Sequence, residues 1–514
     1  MTEAFTIKSQ YISLADKRKP VLDRARECSK LTLPYIMPPE GHNENSTLYK
    51  PYQSMGADGV KHLGSKLLLT LFPPGNSMVR LSYDVSAVES LEQQTGKSLK
   101  TQIEQKLSAQ ERVIMDSFES RGIRPPMFVT LKHLLVTGNA LIYNPPGKEL
   151  KIFYLDSFVV KRDASGNCVL MIVREKVDIR LLPQEVQNAI KLKEAAIPNK
   201  SKEVDLYTKI ELDRNGKNYN VSQEACDIEI IKSRYSYPVD RNDWIPLRWT
   251  RVDGEDYGRS YVEEYLGDLI SLETLSQAIV EGAAAASRIL FLVAPNGSTR
   301  IKSLRDTPNC GFAEGNANDV TVLQVQKFAD FATAEKMIAR LEERLYKAFL
   351  MASSVQRNAD RVTAEEIRFM AGELEDALGG VYSTLTIDLQ LKLVMGEMSH
   401  LARMGKLPKL PGVKPQIITG LDALSRGHEM QRLNTFLEGV QRIEAIVPGV
   451  GAQLDPREVV NRIGVGSGIN MTGLLKSDDQ IAEESDRAEM AQGMETLGPK
   501  LIDAVGKAAS QNPQ

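Results

Sequence analysis

Apolar residues fall at helical spacing through the long stretch from Gly258 to about Met404. Val262, Leu266, Leu269, Leu272, Leu275 and Ile279 recur at three- and four-residue steps, which predicts one amphipathic helix over Ser260–Arg288. At 1.5 Å per residue such a helix reaches roughly 40 Å. Ser260 with Glu263 three residues on has the form of a capping box, and the Ala283–Ala286 run leaves room for a neighbour to approach. A second stripe, Met337, Ile338, Leu341, Leu345 and Phe349, predicts a helix over Phe331–Ala352. Between the two, FLVAPNGSTRIK and DVTVLQVQKFA alternate and are β-branched, with Pro, Gly and Asn turns. The polar run MASSVQRNADRV follows. Thr363 and Glu366 then open a helix expected to continue to Arg403. Gly379 and Gly380 inside it cost about 1 kcal/mol each against alanine and predict a kink.

The flanking regions are more mixed. Residues 7–30 read as a charged helix, and Tyr52–Phe72 as a helix with Met55, Val60, Leu63, Leu67 and Leu71 on one side, ended by Pro73-Pro74-Gly75. Met78–Tyr83 is a strand candidate, Ser86–Ser120 one or two helices, and Pro126–Thr137 an apolar helix. Short β-like runs follow around an Asp163–Gly166 turn, then a helix over Leu182–Ala195, a hairpin turn at Arg214-Asn215-Gly216 and more strand over Tyr235–Val252. Trp244 and Trp249 are expected to pack in a core rather than stack on bases. KLPKLPGVKP reads as a linker, Gln416–Thr419 as a strand, and His428–Ile446, Pro456–Ile463 and Ala482–Ala509 as helices. The fold class expected is α+β, mainly helical.

Composition narrows the function. The 514 residues carry a net charge of −3, so the chain as a whole is no basic nucleic-acid binder. Cys28, Cys168, Cys226 and Cys310 lack CxxC spacing and are expected to be small buried side chains rather than ligands, in keeping with synthesis in a reducing cytoplasm. The N-terminal residues lack the apolar core of a secretory signal, and no apolar run approaches the ~20 residues of a membrane span, so a soluble chain without membrane contact is expected. Gly96-Lys97-Ser98 fails as a phosphate loop, because Leu91 stands where its first glycine belongs. Gly464–Gly468 does not match GxGxxG, and the acidic Asp253–Tyr257 run lacks the alternating ligands of a calcium loop. With no GxSxG, HExxH or CxxC, no enzymatic activity, cofactor or metal site is expected. From the residues alone, a helical scaffold or adaptor without nucleic-acid contact and a metal-dependent nuclease stay open.

Four long strings carry a resemblance: GRSYVEEYLGDLISLETLSQAIV, ASSVQRNADRVTAEEIRFMAGELEDALGGVYSTL, PYQSMGADGVKHLGSKLLLTLFPP and ITGLDALSRG at Ile418–Gly427. They resemble the head-to-tail connector (portal) family of short-tailed podoviruses. The resemblance implies a portal-type subunit: wing over residues 1–258, first stem helix 259–289, strand-containing clip 290–330, second stem helix 331–352, tunnel loop 353–362, long kinked helix and wing return 363–425, and helical crown 426–514. It also implies a homo-oligomeric ring of twelve around a channel for double-stranded DNA, at one capsid vertex of the virion. The implied partners are a packaging motor (terminase), tail adaptor proteins, and capsid and scaffolding proteins.

Within that framework, the tunnel-loop candidates for DNA contact are Ser353, Ser354, Gln356, Arg357, Asn358 and Arg361. Repeated around a ring, the arginines form a collar that touches phosphates without reading bases. Arg361, next to the start of the long helix, is favoured over Arg357. Duplex DNA presents about one negative charge per 1.7 Å, so a sliding channel should be acidic or neutral with few positive contacts. Glu335, Glu342 and Glu343 are the lining candidates on the second stem helix, with an exposed helix surface or subunit ion pairs as the alternative. Lys302 and Arg305 are the clip candidates for docking the motor and tail.

Overall fold

The computed structural model describes residues 6–43, 45–74, 78–83, 100–188, 203–286, 290–308, 310–323, 328–351, 364–408, 413–417 and 433–443, with the single positions 454, 456, 459, 460 and 463. The chain divides into two compact units, residues 1–84 with 110–421, and residues 85–109 with 422–514. In the second unit the described structure is helical over 100–109 and 433–443.

The first unit is built on an antiparallel sheet running Phe158–Arg162, Cys168–Asp178, Glu203–Leu212, Asn218–Ala225 and Ile228–Glu229, with Tyr235–Pro238 also paired to Asn218–Ala225. Its hairpins turn at Gly166 and Gly216, both with positive φ. A three-stranded sheet, Trp244–Arg248, Asn139–Tyr143 and Lys151–Phe153, stands beside it. Leu141, Phe153, Phe158, Met171, Ile210 and Trp244 fill one core against Leu22 and Ala25 of the Ile7–Lys30 helix. That helix is pinned by its polar groups. The amide of Ile7 donates to the buried Glu224 carboxylate at 2.7 Å, and buried Arg18 donates to the Leu155 and Asp156 carbonyls. Trp244 stacks on Tyr143 with centroids 4.3 Å apart, and Trp249 is fully buried against Tyr261, so both indoles serve packing.

Several boundaries differ from those read in the sequence. The first long helix is broken: Tyr261–Glu264 ends at Tyr265, and Leu266–Ala286 begins anew. Only half of its capping box forms. Ser260 Oγ accepts from the Glu263 amide at 3.0 Å, but the Glu263 carboxylate is drawn off by Arg259 and Arg24. The second helix is Phe328–Ala348, a few residues early. Val79–Tyr83 pairs with Val413–Ile417, so part of the expected linker is strand. Pro415 is tolerated there because a two-stranded ladder offers it a free edge. In the acidic run, Tyr257 is buried and Asp256 is bound to Lys161 and Arg162. Cys28 and Cys168 are buried, but Cys226, at the edge of a cluster of Leu182, Val186, Ala225 and Ile230, is half-buried and Cys310 is exposed; both take positive φ. Among the described residues, no helix is long and apolar enough to cross a membrane, and no group of three potential metal ligands assembles.

Candidate functional site

The Leu266–Ala286 and Phe328–Ala348 helices lie side by side. A Cβ on Gly282 would fall 2.6 Å from the Phe331 ring, and Arg344 reaches Asp268 at 2.9 Å. Leu269, Leu272, Leu341 and Leu345 are buried at the end that joins the sheet-containing body, and exposure rises away from it. Two strands, Leu290–Val293 and Val320–Leu323, continue from the far ends as an antiparallel ladder. Asp319 closes the adjoining turn, accepting from the Ser298 hydroxyl and from the Thr299 amide and hydroxyl at 3.1–3.2 Å. Desolvation opposes its charge, but these hydrogen bonds prevail and hold the carboxyl below its usual range.

The anchorage of this helical pair rests on charged residues that lie within apolar stripes. Glu273 follows Leu272 on the buried face. Its carboxylate accepts from Tyr49 Oη at 2.6 Å, the Tyr52 amide at 3.0 Å and the Gln53 amide at 3.2 Å. At the other helix, Phe349 is wholly buried against Tyr261 and fits only because Gly59 has no side chain; a Cβ there would meet the ring at 2.5 Å. Tyr261 Oη donates to the Ala348 carbonyl at 2.6 Å. Leu350 then takes a left-handed φ of 53°, with Leu350 N–H to the Lys347 carbonyl and Met351 N–H to the Tyr346 carbonyl, a Schellman ending. Its own carbonyl accepts from Lys66 Nζ and His62 Nε2, each at 3.1 Å. Burial and the neighbouring Lys66 push the His62 pKa down.

The candidates named from sequence separate on this scaffold. Glu335, Glu342 and Glu343 are all exposed on the Phe328–Ala348 helix. Glu343 is paired with Lys347 at 2.7 Å, which holds its carboxyl below the ordinary range. Lys302 and Arg305 are exposed on a short Ile301–Asp306 helix, where Arg305 already meets Asp306 at 3.1 Å. Ser353, Ser354, Gln356, Arg357, Asn358 and Arg361 lie outside the described residues, as do Thr363 and the Gly464–Gly468 run. Lys66 and His62 escaped the sequence reading, as did the burial of Glu273. The available signal was a charged residue on an otherwise apolar helix face.

The sequence profile of the family described as "Bacteriophage head to tail connecting protein" matches residues 4–475. The chain is 36% identical to the portal protein of Enterobacteria phage T3 over 514 residues, covering 99% of this chain and 95% of that one. It is 35% identical to the portal protein of Escherichia phage T7 with the same coverage. The portal protein of Pseudomonas phage phiKMV is 28% identical, over 93% of this chain and 94% of its own. Among solved structures, a chain from the neck of an empty gene transfer agent particle matches 74% of this chain and 86% of its own, at 11% identity and a TM-score of 0.39.

Proposed function

The chain belongs to the bacteriophage head-to-tail connecting (portal) family, and from that premise we propose that it assembles as a closed ring through which double-stranded DNA is packaged and ejected. The observation that carries the reading is the helical pair with its strand-bearing tip, anchored at Glu273 and at Leu350 on a sheet-containing body. In the proposed assembly that pair is the stem, residues 290–330 form the clip, and residues 353–362 face the channel. The exposed Glu335 and Glu342 give the stem negative charge of the kind that keeps DNA from binding tightly. Arg357 and Arg361 supply the few phosphate contacts. The chain acts as a conduit at one capsid vertex, after synthesis in the host cytoplasm. Packaging motor, tail adaptors, capsid and scaffolding proteins are its partners, and the motor rather than this chain hydrolyses ATP.

A ring of twelve copies of this 57.0 kDa chain has a mass of about 0.7 MDa, which light scattering and averaged top views measure directly. A monomer or dimer at working concentration refutes the conduit. Arg361→Ala is expected to leave the ring intact and to impair retention or passage of DNA; particles that fill and hold genomes normally remove Arg361 from that role. At the clip, Lys302→Glu is the cleaner charge reversal because Arg305 is already paired. It should weaken binding of motor or tail adaptor without affecting ring assembly, and unchanged binding of both counts against the clip as docking end.

A further inference from the structure

The Phe328–Ala348 helix ends through Leu350 and Met351, and the next described element is the Ala364–Leu378 helix. One side chain ties the ending of the first helix to the body of the second. Lys66, 4% exposed, donates to the Leu350 carbonyl at 3.1 Å and to Glu373 Oε2 at 2.9 Å. Lys66 is on the Met55–Leu71 helix, whose neighbouring turns bury Leu63, Leu67 and Leu71 completely. An apolar side chain would suit that face for packing alone, whereas an ammonium must be desolvated and needs partners of good geometry. Its two partners come from two different helices. His62, one turn earlier, reinforces the first contact on the same carbonyl. That contact also holds Leu350 in a left-handed conformation, which a leucine rarely adopts unaided.

We propose that Lys66 is a positioning residue that couples the ending of the Phe328–Ala348 helix at Leu350 to the Ala364–Leu378 helix at Glu373, fixing both to the Met55–Leu71 helix. The inference rests on the conduit reading for its bearing on DNA, though the coupling itself is a property of the chain. Because one ammonium serves both helices, loosening the contact at Glu373 should loosen the one at Leu350, although Glu373 is bonded to Lys66 and not to Leu350.

The experiment is hydrogen exchange on the full-length assembled protein, read at the Met351 amide, which is bonded to the Tyr346 carbonyl. Lys66→Met should accelerate that exchange about tenfold or more, and Glu373→Gln about threefold to tenfold, with the fluorescence melting of the body around Trp244 and Trp249 little changed. If Lys66→Met alone acts and Glu373→Gln leaves Met351 untouched, the two helices are held separately and the inference is overturned. No change in either variant overturns it as well. Packaging by Lys66→Met particles then reads the conduit separately. Reduced genome filling together with the exchange change supports both readings. Full packaging with the exchange change leaves the coupling standing and removes its role in DNA passage.

Discussion

Removing the Glu273 carboxylate should unfasten the first of the paired helices from the chain at residues 49–53. The group is 6% exposed and takes three donors: the Tyr49 hydroxyl and the amides of Tyr52 and Gln53. A hydrogen bond to a charged group contributes about 1.5–3 kcal/mol, and losing the acceptor leaves any buried donor unpaired. Tyr49 is 37% exposed and regains water, so the two amides dominate. Glu273→Ala is therefore expected to cost about 2–4 kcal/mol, and Glu273→Gln, which keeps one acceptor oxygen, about 1–2 kcal/mol. Urea unfolding gives the total, and exchange at the Tyr52 and Gln53 amides places it. The phenol supplies an independent readout. Its hydrogen bond to Glu273, with some help from desolvation, pushes the Tyr49 pKa up to about 12. The folded value lies above the unfolded one of 10, so this contribution is complete below pH 10 and fades as pH rises through about 12. In Glu273→Gln, Tyr49 should ionise nearer its ordinary range, seen by phenolate absorbance against Tyr49→Phe. A loss below about 0.5 kcal/mol in Glu273→Ala, with unchanged amide exchange, would show a mere surface contact and defeat this reasoning.

Other outcomes follow from buried groups. Gly59→Ala drives a methyl against the Phe349 ring and should cost about 1–3 kcal/mol, measured by urea unfolding, with Phe349→Leu in the same background recovering part of it. His133 is buried, and desolvation with help from Lys132 lowers its pKa from 6.5 to about 4. It stabilises the fold fully above pH 6.5, and up to about 3 kcal/mol is lost as pH falls through 4. His133→Leu should flatten that acid limb of the stability curve. His400 behaves oppositely. Burial disfavours its charge, but the contact with Asp243 at 3.2 Å and the Glu397 carboxylate 3.9 Å away prevail and raise its pKa. Its contribution is full below pH 6.5 and lost as pH rises through the raised value, a slope that His400→Asn should remove.

The helical pair was legible in the sequence because its stripes repeat over many turns, where period is a strong signal. The break at Tyr265 was not, since Tyr261 and Tyr265 keep the helical spacing; at the break their rings pack on Trp249 and Phe349, which lie far away in the chain. Pro415 was misleading for a related reason: a proline marks a linker locally, and only the distant Val79–Tyr83 partner makes it an edge strand. Of the site candidates, exposure at Glu335 and Glu342 followed from a polar helix face, whereas Lys302 and Arg305 are exposed on a short helix in a stretch read as β-like. Which charges are paired, such as Glu343 with Lys347, depends on rotamers that spacing does not fix. The anchoring contacts of Lys66 and Glu273 were hidden because a charge on a helix shows its purpose only when its partners, far away in the chain, are in place.

The kink predicted at Gly379 and Gly380 is a full break. Both residues take left-handed φ, near 45°, after which a Val381–Leu385 helix runs into π-helical turns at Thr386–Leu391 and then into Lys392–Arg403. A π turn amounts to one surplus residue in the helical winding, and each residue sweeps about 100° around the axis. The Thr386–Leu391 stretch therefore sets the phase of everything after it. Glu397 meets Arg121 and Ser117, and His400 meets Asp243, only at that phase. Deleting one residue within 386–391 would leave a smoother, locally more stable α-helix and yet swing both side chains a quarter turn from their partners. The irregular winding works as a vernier: a local defect keeps two distant sets of buried charges in step.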